Sequence, residues 1–430
     1  MKLRFKKSIV EISRIVLGAV FVFSGFVKAV DPWGTIYKIE DHLEAFGLDL
    51  WSFIALPFAF GLFVIEFGIG ICLLLGVYRK LNTIFALLFL AVMTPLTLYL
   101  AIKNPITDCG CFGDALTLSN RQTFFKNLPL LLMAIYLFLH YKLIMSAFTK
   151  RCYSLIAFWA YAFIAGVALY SFSCLPILDF RPYKTGANIP ALMEIPEDAE
   201  QPVFDTKLIY SKDGIQREFT IADYPKGDSS WVFVTSKTVT VKKGYEPPIH
   251  DFSITTEEGD DITGNVLSDP NYTFLLIAHK LGEASDNNVY KINNIYDYSQ
   301  KFGYKFYALT ASNPAEIREW VKNTGAEYPF CTMDDITLKT IVRSNPGLLL
   351  LKNGTIINKW SNRTLPNLSK LNMPLDNGNI GKIPAKHNER NMIIATLIFI
   401  IPLSILFLLD FFVYGKQQRE RGEKRLAQNK

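Results

Sequence analysis

Six stretches of this chain are too long and too apolar to pack inside a water-soluble domain. They are Ile9–Val30, Phe53–Val77, Leu81–Ile102, Phe124–Ile144, Tyr153–Leu175 and Met392–Val413. A run of about 20 apolar residues crosses the hydrocarbon core as a helix. Pro95 and Pro402 fall inside two of the runs, which membrane helices tolerate better than soluble ones. The first run could be read as a cleaved signal sequence, but Lys28 stands where a small-residue cleavage site would be. An uncleaved first helix is therefore expected.

Lysine and arginine set the orientation. Lys2, Arg4, Lys6 and Lys7 precede the first span, Arg79 and Lys80 follow the second, Lys150 and Arg151 precede the fifth, and Lys416, Arg419, Arg421, Lys424 and Arg425 follow the sixth. If the spans alternate, all four groups share one face, the cytoplasmic one. The Asp31–Leu50 loop, the loop after the third span and the stretch from Pro176 to Arg390 then share the other. In a bacterial inner membrane that face is the periplasm, with both termini cytoplasmic. The net charge of +6 sits mostly beside the spans, which leaves the lipid bilayer as a partner and argues against nucleic acid.

The loop after the third span reads NPITDCGCFGDAL, Asn104 to Leu116. It holds Cys109 and Cys111, in a chain with six cysteines among 430 residues. Six is too few for a disulfide scaffold, so position matters more than number. Disulfides persist on the extracytoplasmic side, and Gly110 supplies the backbone freedom that two bonded neighbours would need. Three readings stay open: a redox-active pair, a structural or incidental pair, and half of a zinc site. The loop has no histidine, so no metal is expected. Asp108 and Asp114 would raise the thiol pKa, and Lys103 and Arg121 would lower it.

Glu66 lies in the middle of the second span. A carboxylate there must face the bundle interior and be paired or protonated. Lys28, near the outer end of the first span, is the candidate partner, and the pair could move the proton released on disulfide formation, touch a quinone head group, or simply order the helices. Glu11, Arg14 and Asp410 read as interfacial. Cys72 and Cys152 read as small apolar fillers. Cys174 closes the fifth span on the loop side and is a candidate for thiol exchange, as is Cys331 further on.

After Pro176 the composition turns mixed. Residues 177–244 alternate as short strands. Beyond them the order is strand, helix, strand, helix and a hairpin turning at Asn353–Gly354, which means an α/β sandwich. Residues 367–390 read as a tether to the last span, and 415–430 as a basic tail.

The first four spans, with LGAVFVFSGFVKAVDPWG in the first and DCGCFGD after the third, resemble the DoxX/MauE family of four-helix membrane proteins. The resemblance covers residues 1–150, with residues 151–176 a fifth helix and 391–414 a sixth. It implies redox-associated work: MauE proteins are linked to maturation of a disulfide-rich dehydrogenase subunit, and DoxX relatives to thiosulfate–quinone chemistry. Residues 245–366 resemble a thioredoxin-like domain, with Pro346 where that fold has its cis-proline. One departure is decisive: where a redox-active member has Cys-x-x-Cys, this chain reads IAHKLGEASDNN, so the domain cannot run dithiol exchange alone.

The expected protein is thus an α-helical membrane bundle carrying an α/β thioredoxin-like extracytoplasmic domain. The function that fits best is thiol–disulfide redox through Cys109 and Cys111, between an envelope thiol partner and a membrane quinone, with Glu66 and Lys28 assisting proton movement. The alternative is a non-enzymatic envelope scaffold with a fixed disulfide and a protein-binding thioredoxin-like domain. A transporter has only Glu66 in its favour.

Overall fold

The computed structural model describes residues 2–428, apart from positions 107, 202, 213–214, 221–222, 229, 243, 369–370 and 385–386. The side chains of the expected basic tail lie outside the described residues. Among the described residues, six helices are long and apolar enough to cross a membrane: Arg4–Val30, Asp49–Leu75, Arg79–Lys103, Asn120–Leu143, Lys150–Ser173 and Asn388–Val413. This is a multi-pass membrane protein.

The bundle consists of α1 (Lys2–Val30), α3 (Ala55–Leu75), α4 (Arg79–Lys103), α5 (Asn120–His140) and α6 (Tyr153–Ser173). Backbones approach closely where α1 meets α3. A Cβ on Gly25 would stand 2.6 Å from the Phe67 nitrogen, and one on Gly70 would stand 2.6 Å from the Val22 nitrogen. Lipid supplies no hydrophobic drive between helices, so small residues that permit such approach do the packing. Pro129 lies inside α5, in addition to Pro95 in α4.

The stretch expected to be a loop after the first span is largely a helix, α2 (Pro32–Ala45). Asp31 caps it by accepting from the Gly34 N–H at 3.0 Å, and Pro32 takes the first turn, where its missing N–H costs nothing.

Helix α7 (Ile189–Met193) leads to a three-stranded antiparallel sheet of β1 (Val203–Lys212), β2 (Ile215–Thr220) and β3 (Val232–Lys242), ordered β2-β1-β3. The chain leaves and re-enters this sheet at one point, where the Tyr245 N–H donates to the Glu200 carbonyl at 2.8 Å.

The second sheet runs β4-β7-β6-β5-β8-β9. Its strands are β4 (Thr255–Thr256), β5 (Tyr272–Ile277), β6 (Lys305–Thr310), β7 (Phe330–Thr332), β8 (Gly347–Lys352) and β9 (Thr355–Ser361). Strands β5, β6 and β7 are parallel, whereas β8 and β9 run antiparallel to them. The expected hairpin at 252–264 shrinks to β4, a Thr255–Asp261 bridge and helix α8 (Thr263–Leu267).

Every residue of β5 is buried, because helices cover both faces. Phe274 and Leu276 meet α9 (Val289–Lys301) and α10 (Pro314–Thr324), while Leu275 and Ile277 meet α11 (Asp335–Ile341). The period-2 alternation of a strand divides its side chains in this way. The Asn345–Pro346 bond is cis and immediately precedes β8.

The last span, α12 (His387–Gln428), is tied to the bundle by Trp159 Nε1 donating to the Phe399 carbonyl at 3.1 Å. At its far end Asp410, expected to be merely interfacial, accepts from both the N–H and the hydroxyl of Thr149. Arg14 is likewise more than interfacial, since it donates to the Leu73 and Leu74 carbonyls as well as to Glu11.

Candidate functional site

Cys109 and Cys111 sit where the loop after α4 turns back toward α5. Gly110 between them has φ +67°, in the left-handed region where a side chain is strained. The turn sets the two sulfurs 3.4 Å apart as free thiols. Two thiols this close hold their protons as a pair. The hydrogen bond from Cys109 stabilises a thiolate on Cys111 and, against burial, holds that thiol below its usual range, with Lys126 and Lys28 adding to the effect. Cys109 is pushed up by the same bond and by burial. The cations that bear on the pair are thus Lys126 and Lys28, not Lys103 and Arg121 as expected. Lys126 comes from α5 and also lies 4.1 Å above the Phe112 ring.

Beneath the loop, Lys28 and Glu66 meet as the sequence suggests. Lys28 Nζ donates to Glu66 Oε1 at 2.7 Å and to Oε2 at 2.9 Å. Its third N–H goes to the Ser24 hydroxyl at 3.0 Å. Ser24 Oγ stands 2.9 Å from Glu66 Oε2 and 2.8 Å from the Cys111 carbonyl, so its single hydrogen serves one or the other. Ser24 was not singled out from the sequence. Its only signal is its place one helical turn before Lys28 in FSGFVK, on the same face.

The thiols also open sideways. Cys109, Gly110 and Cys111 form part of the wall of a cavity of about 270 Å³. The rest is largely apolar: Ile39 and Leu43 from α2, Phe58 and Leu62 from α3, and Met93 and Leu96 from α4. Lys28, Thr35, Lys38 and His42 supply the polar points.

The other candidate cysteines are elsewhere. Cys174 lines a separate cavity of about 720 Å³ with Asp179 and Lys359. Cys331 is buried in β7, in the sheet core. Its thiol is pushed up to about 11 by burial, with Glu257 and Glu258 adding to it. The structure brings neither to the pair. Among the described residues no group of three metal-ligating side chains occurs.

The thioredoxin-like domain meets this site through the segment just before Pro346. Asn345 Nδ2 donates to the Lys280 carbonyl at 2.7 Å, and the Ser285 N–H donates to the Asn345 carbonyl at 3.0 Å. The cis-proline therefore lies against the cysteine-free loop. Three residues earlier, the buried Arg343 reaches into the membrane domain, with Nη2 2.9 Å from Asp31 Oδ2 and 3.1 Å from Asp114 Oδ2. Burial pushes the Asp31 carboxyl up, but Arg343 and Arg181 outweigh it and leave Asp31 below its usual range. Burial prevails at Asp114, which stays raised despite Arg343.

The fold and site define a class: a membrane helix bundle with a dithiol loop, joined in one chain to a thioredoxin-like domain. Residues 6–140 match the family model described as "Methylamine utilisation protein MauE", so the chain carries a MauE membrane region. Residues 204–243, which hold the three-stranded sheet, match a domain of unknown function. No curated protein matches the chain.

Among solved structures, the chain is similar to the thioredoxin domain of a thiol-disulfide oxidoreductase from Bacteroides vulgatus, at 12% identity over 25% of this chain and 81% of that one, with TM-score 0.22. It is similar to a thioredoxin-like protein from Aeropyrum pernix at 16% identity, over 26% of this chain and 81% of that one, with TM-score 0.22. It is also similar to StoA from Bacillus subtilis at 17% identity, over 25% of this chain and 84% of that one, with TM-score 0.21. Likenesses this distant add nothing to the strand order and the cis-proline, on which the thioredoxin-like fold stands.

Proposed function

We propose that this protein is a membrane thiol–disulfide oxidoreductase whose reacting atoms are the sulfurs of Cys109 and Cys111. The observation that carries the reading is their 3.4 Å separation in the wall of an apolar cavity. The Cys111 thiolate is the nucleophile when the dithiol is reoxidised, since the thiolate and not the thiol reacts.

In one half-cycle the Cys109–Cys111 disulfide accepts two electrons and two protons from a dithiol on an envelope protein. The partner's disulfide forms as this one breaks. In the other half-cycle the dithiol is reoxidised: the S–S bond forms, and two electrons with two protons pass to an apolar two-electron acceptor of the quinone class, which becomes the quinol. The cavity suits such a ring, being largely apolar with a few polar points. Glu66, Lys28 and Ser24 sit on the inner side of the loop, where they can take and return a proton.

The proposed setting is a bacterial inner membrane. Both termini are cytoplasmic, and the cysteine loop and both sheets face the periplasm. The distribution of lysine and arginine supports it.

The experiment is to trap membranes with acid, alkylate with a mass-shifting reagent before and after reduction, and map each cysteine by peptide mass. A mixture of thiol and disulfide at Cys109 and Cys111 that shifts when respiration is blocked supports the cycle. A pair fixed in one state under every condition favours the second reading, a non-enzymatic envelope scaffold. That reading has one observation behind it, the absence of cysteine from the loop against Pro346. Turnover in Glu66→Gln equal to wild type would remove Glu66 from the chemistry.

A further inference from the structure

The thioredoxin-like domain has lost the cysteines that would let it exchange thiols, yet it keeps the face on which they would stand. Beside that face, Lys339 and Arg343 meet the chain's own membrane region. Arg343 enters between the end of α1 and the dithiol loop, and its donors are nearly all spent there. Nε donates to both Asp31 oxygens, at 3.1 and 3.0 Å. Nη2 donates to Asp31 and Asp114, and Nη1 to the Lys339 carbonyl at 2.7 Å. The guanidinium lies 5.4 Å from the centre of the Tyr37 ring on α2, and Lys339 Nζ lies 5.1 Å from it. Gly34 makes room: a Cβ there would stand 2.8 Å from Arg343 Nη2.

The two carboxylates held by Arg343 bracket the dithiol. Asp31 lies three residues after Lys28, and Asp114 three after Cys111. The loop is pinned at two further points, by Lys38 to Asp108 at 2.9 Å and by Ser24 to the Cys111 carbonyl. A short loop with φ positive at Gly110 and again at Gly113 would not hold two sulfurs together unaided. Fixing its ends raises the effective concentration of one thiol at the other without any new contact between them.

We propose that the cysteine-free thioredoxin-like domain acts in cis, with Arg343 as the positioning residue that clamps the dithiol loop and α2 in the geometry from which the disulfide closes. This rests on the reading that Cys109 and Cys111 cycle.

The test uses the full-length protein in lipid nanodiscs, equilibrated across glutathione redox buffers, with the oxidised fraction at Cys109 and Cys111 read by alkylation and peptide mass. Arg343→Gln is compared with Arg343→Lys and with Lys359→Gln, which breaks a different buried ion pair in the same domain. Arg343→Gln is expected to make the disulfide at least tenfold easier to reduce, about 30 mV for this two-electron couple. Arg343→Lys recovers part of the shift, and Lys359→Gln produces none. Equal shifts in Arg343→Gln and Lys359→Gln would overturn the clamp while leaving the redox cycle standing.

A second measurement needs no cycling. Hydrogen exchange across residues 105–118 in the reduced protein is expected to rise about tenfold in Arg343→Gln. If the pair never oxidises in the wild type, the redox reading falls and exchange alone decides the clamp, with an unchanged rate sinking it.

Discussion

Lys28 and Glu66 are both buried, at 4% and 2% exposure, so each is tolerable only because of the other. Taking one charge away leaves its partner uncompensated in a low dielectric, a loss of about 3–5 kcal/mol where buried pairs are broken from one side. Glu66→Gln is therefore expected to lower the thermal midpoint sharply in detergent. The double replacement Lys28→Met with Glu66→Met should restore most of it, because two apolar side chains need no compensation. A Glu66→Gln protein that melts with the wild type would show that the pair does not hold α1 to α3.

The thiols give a second residue-level expectation. Cys111 is held below the ordinary thiol range by Cys109 and the two lysines, so its thiolate persists at a pH where a free cysteine, with pKa about 8.5, is protonated. Its alkylation rate should reach half-maximum below that pH and fall only as the pH drops through the lowered value. Lys126→Met should move the midpoint upward. Rates at Cys111 alone, read by peptide mass against pH, check both.

At the scale of elements, α2 is the piece most easily overlooked and most used. It walls the cavity, carries Lys38 to Asp108 and presents Tyr37 to Arg343 and Lys339. Its start was written in the sequence as Asp-Pro, an N-cap and a first-turn proline, and its end as Gly47. The strong hydropathy on either side made the segment look like a connection.

Asp31 does two jobs there, capping the helix and pairing with Arg343, and two substitutions separate them. Asp31→Asn keeps a good cap and removes the charge, whereas Asp31→Ala removes both. Asp31→Ala should be the less stable by about 1 kcal/mol, the usual worth of a cap. Equal denaturation midpoints would mean that the side-chain cap contributes nothing.

For the whole molecule, the three-stranded sheet is an excursion. The chain departs at Glu200 and returns at Tyr245 across one backbone hydrogen bond. Strand β2 is almost wholly exposed, and Val232, Phe233 and Val234 face solvent. Little of its apolar surface is buried against the rest of the protein. Replacing residues 201–244 by a short glycine-serine link should therefore leave the thermal midpoint of the remaining protein within about 0.5 kcal/mol equivalent, as for changes away from a core. It should also leave the alkylation pattern at Cys109 and Cys111 unchanged. A large loss of stability would show that the sheet is built into the domain and not appended to it.

The six spans, the alternation of strands and helices in the α/β domain and the turn at Asn353–Gly354 were legible because each depends on a local pattern: a long apolar run, alternation with period 2, or a residue type tolerant of positive φ. The Lys28–Glu66 pair was legible for a related reason, since a charge inside a membrane must find its opposite and few were on offer. The same logic failed for Lys103 and Arg121, where nearness in sequence stood in for nearness in space; the cation that reaches Cys111 comes from the next helix, at Lys126. Arg343 bears no mark in the sequence and Ser24 only its place one turn before Lys28, because a serine in a helix and an arginine near a proline are ordinary residues. Sequence by itself determined that this chain crosses a membrane and carries a dithiol loop and a thioredoxin-like domain without the Cys-x-x-Cys pair. Only the tertiary structure decided that Arg343 of this domain reaches that loop, because the carboxylates it holds come from segments 229 and 312 residues away.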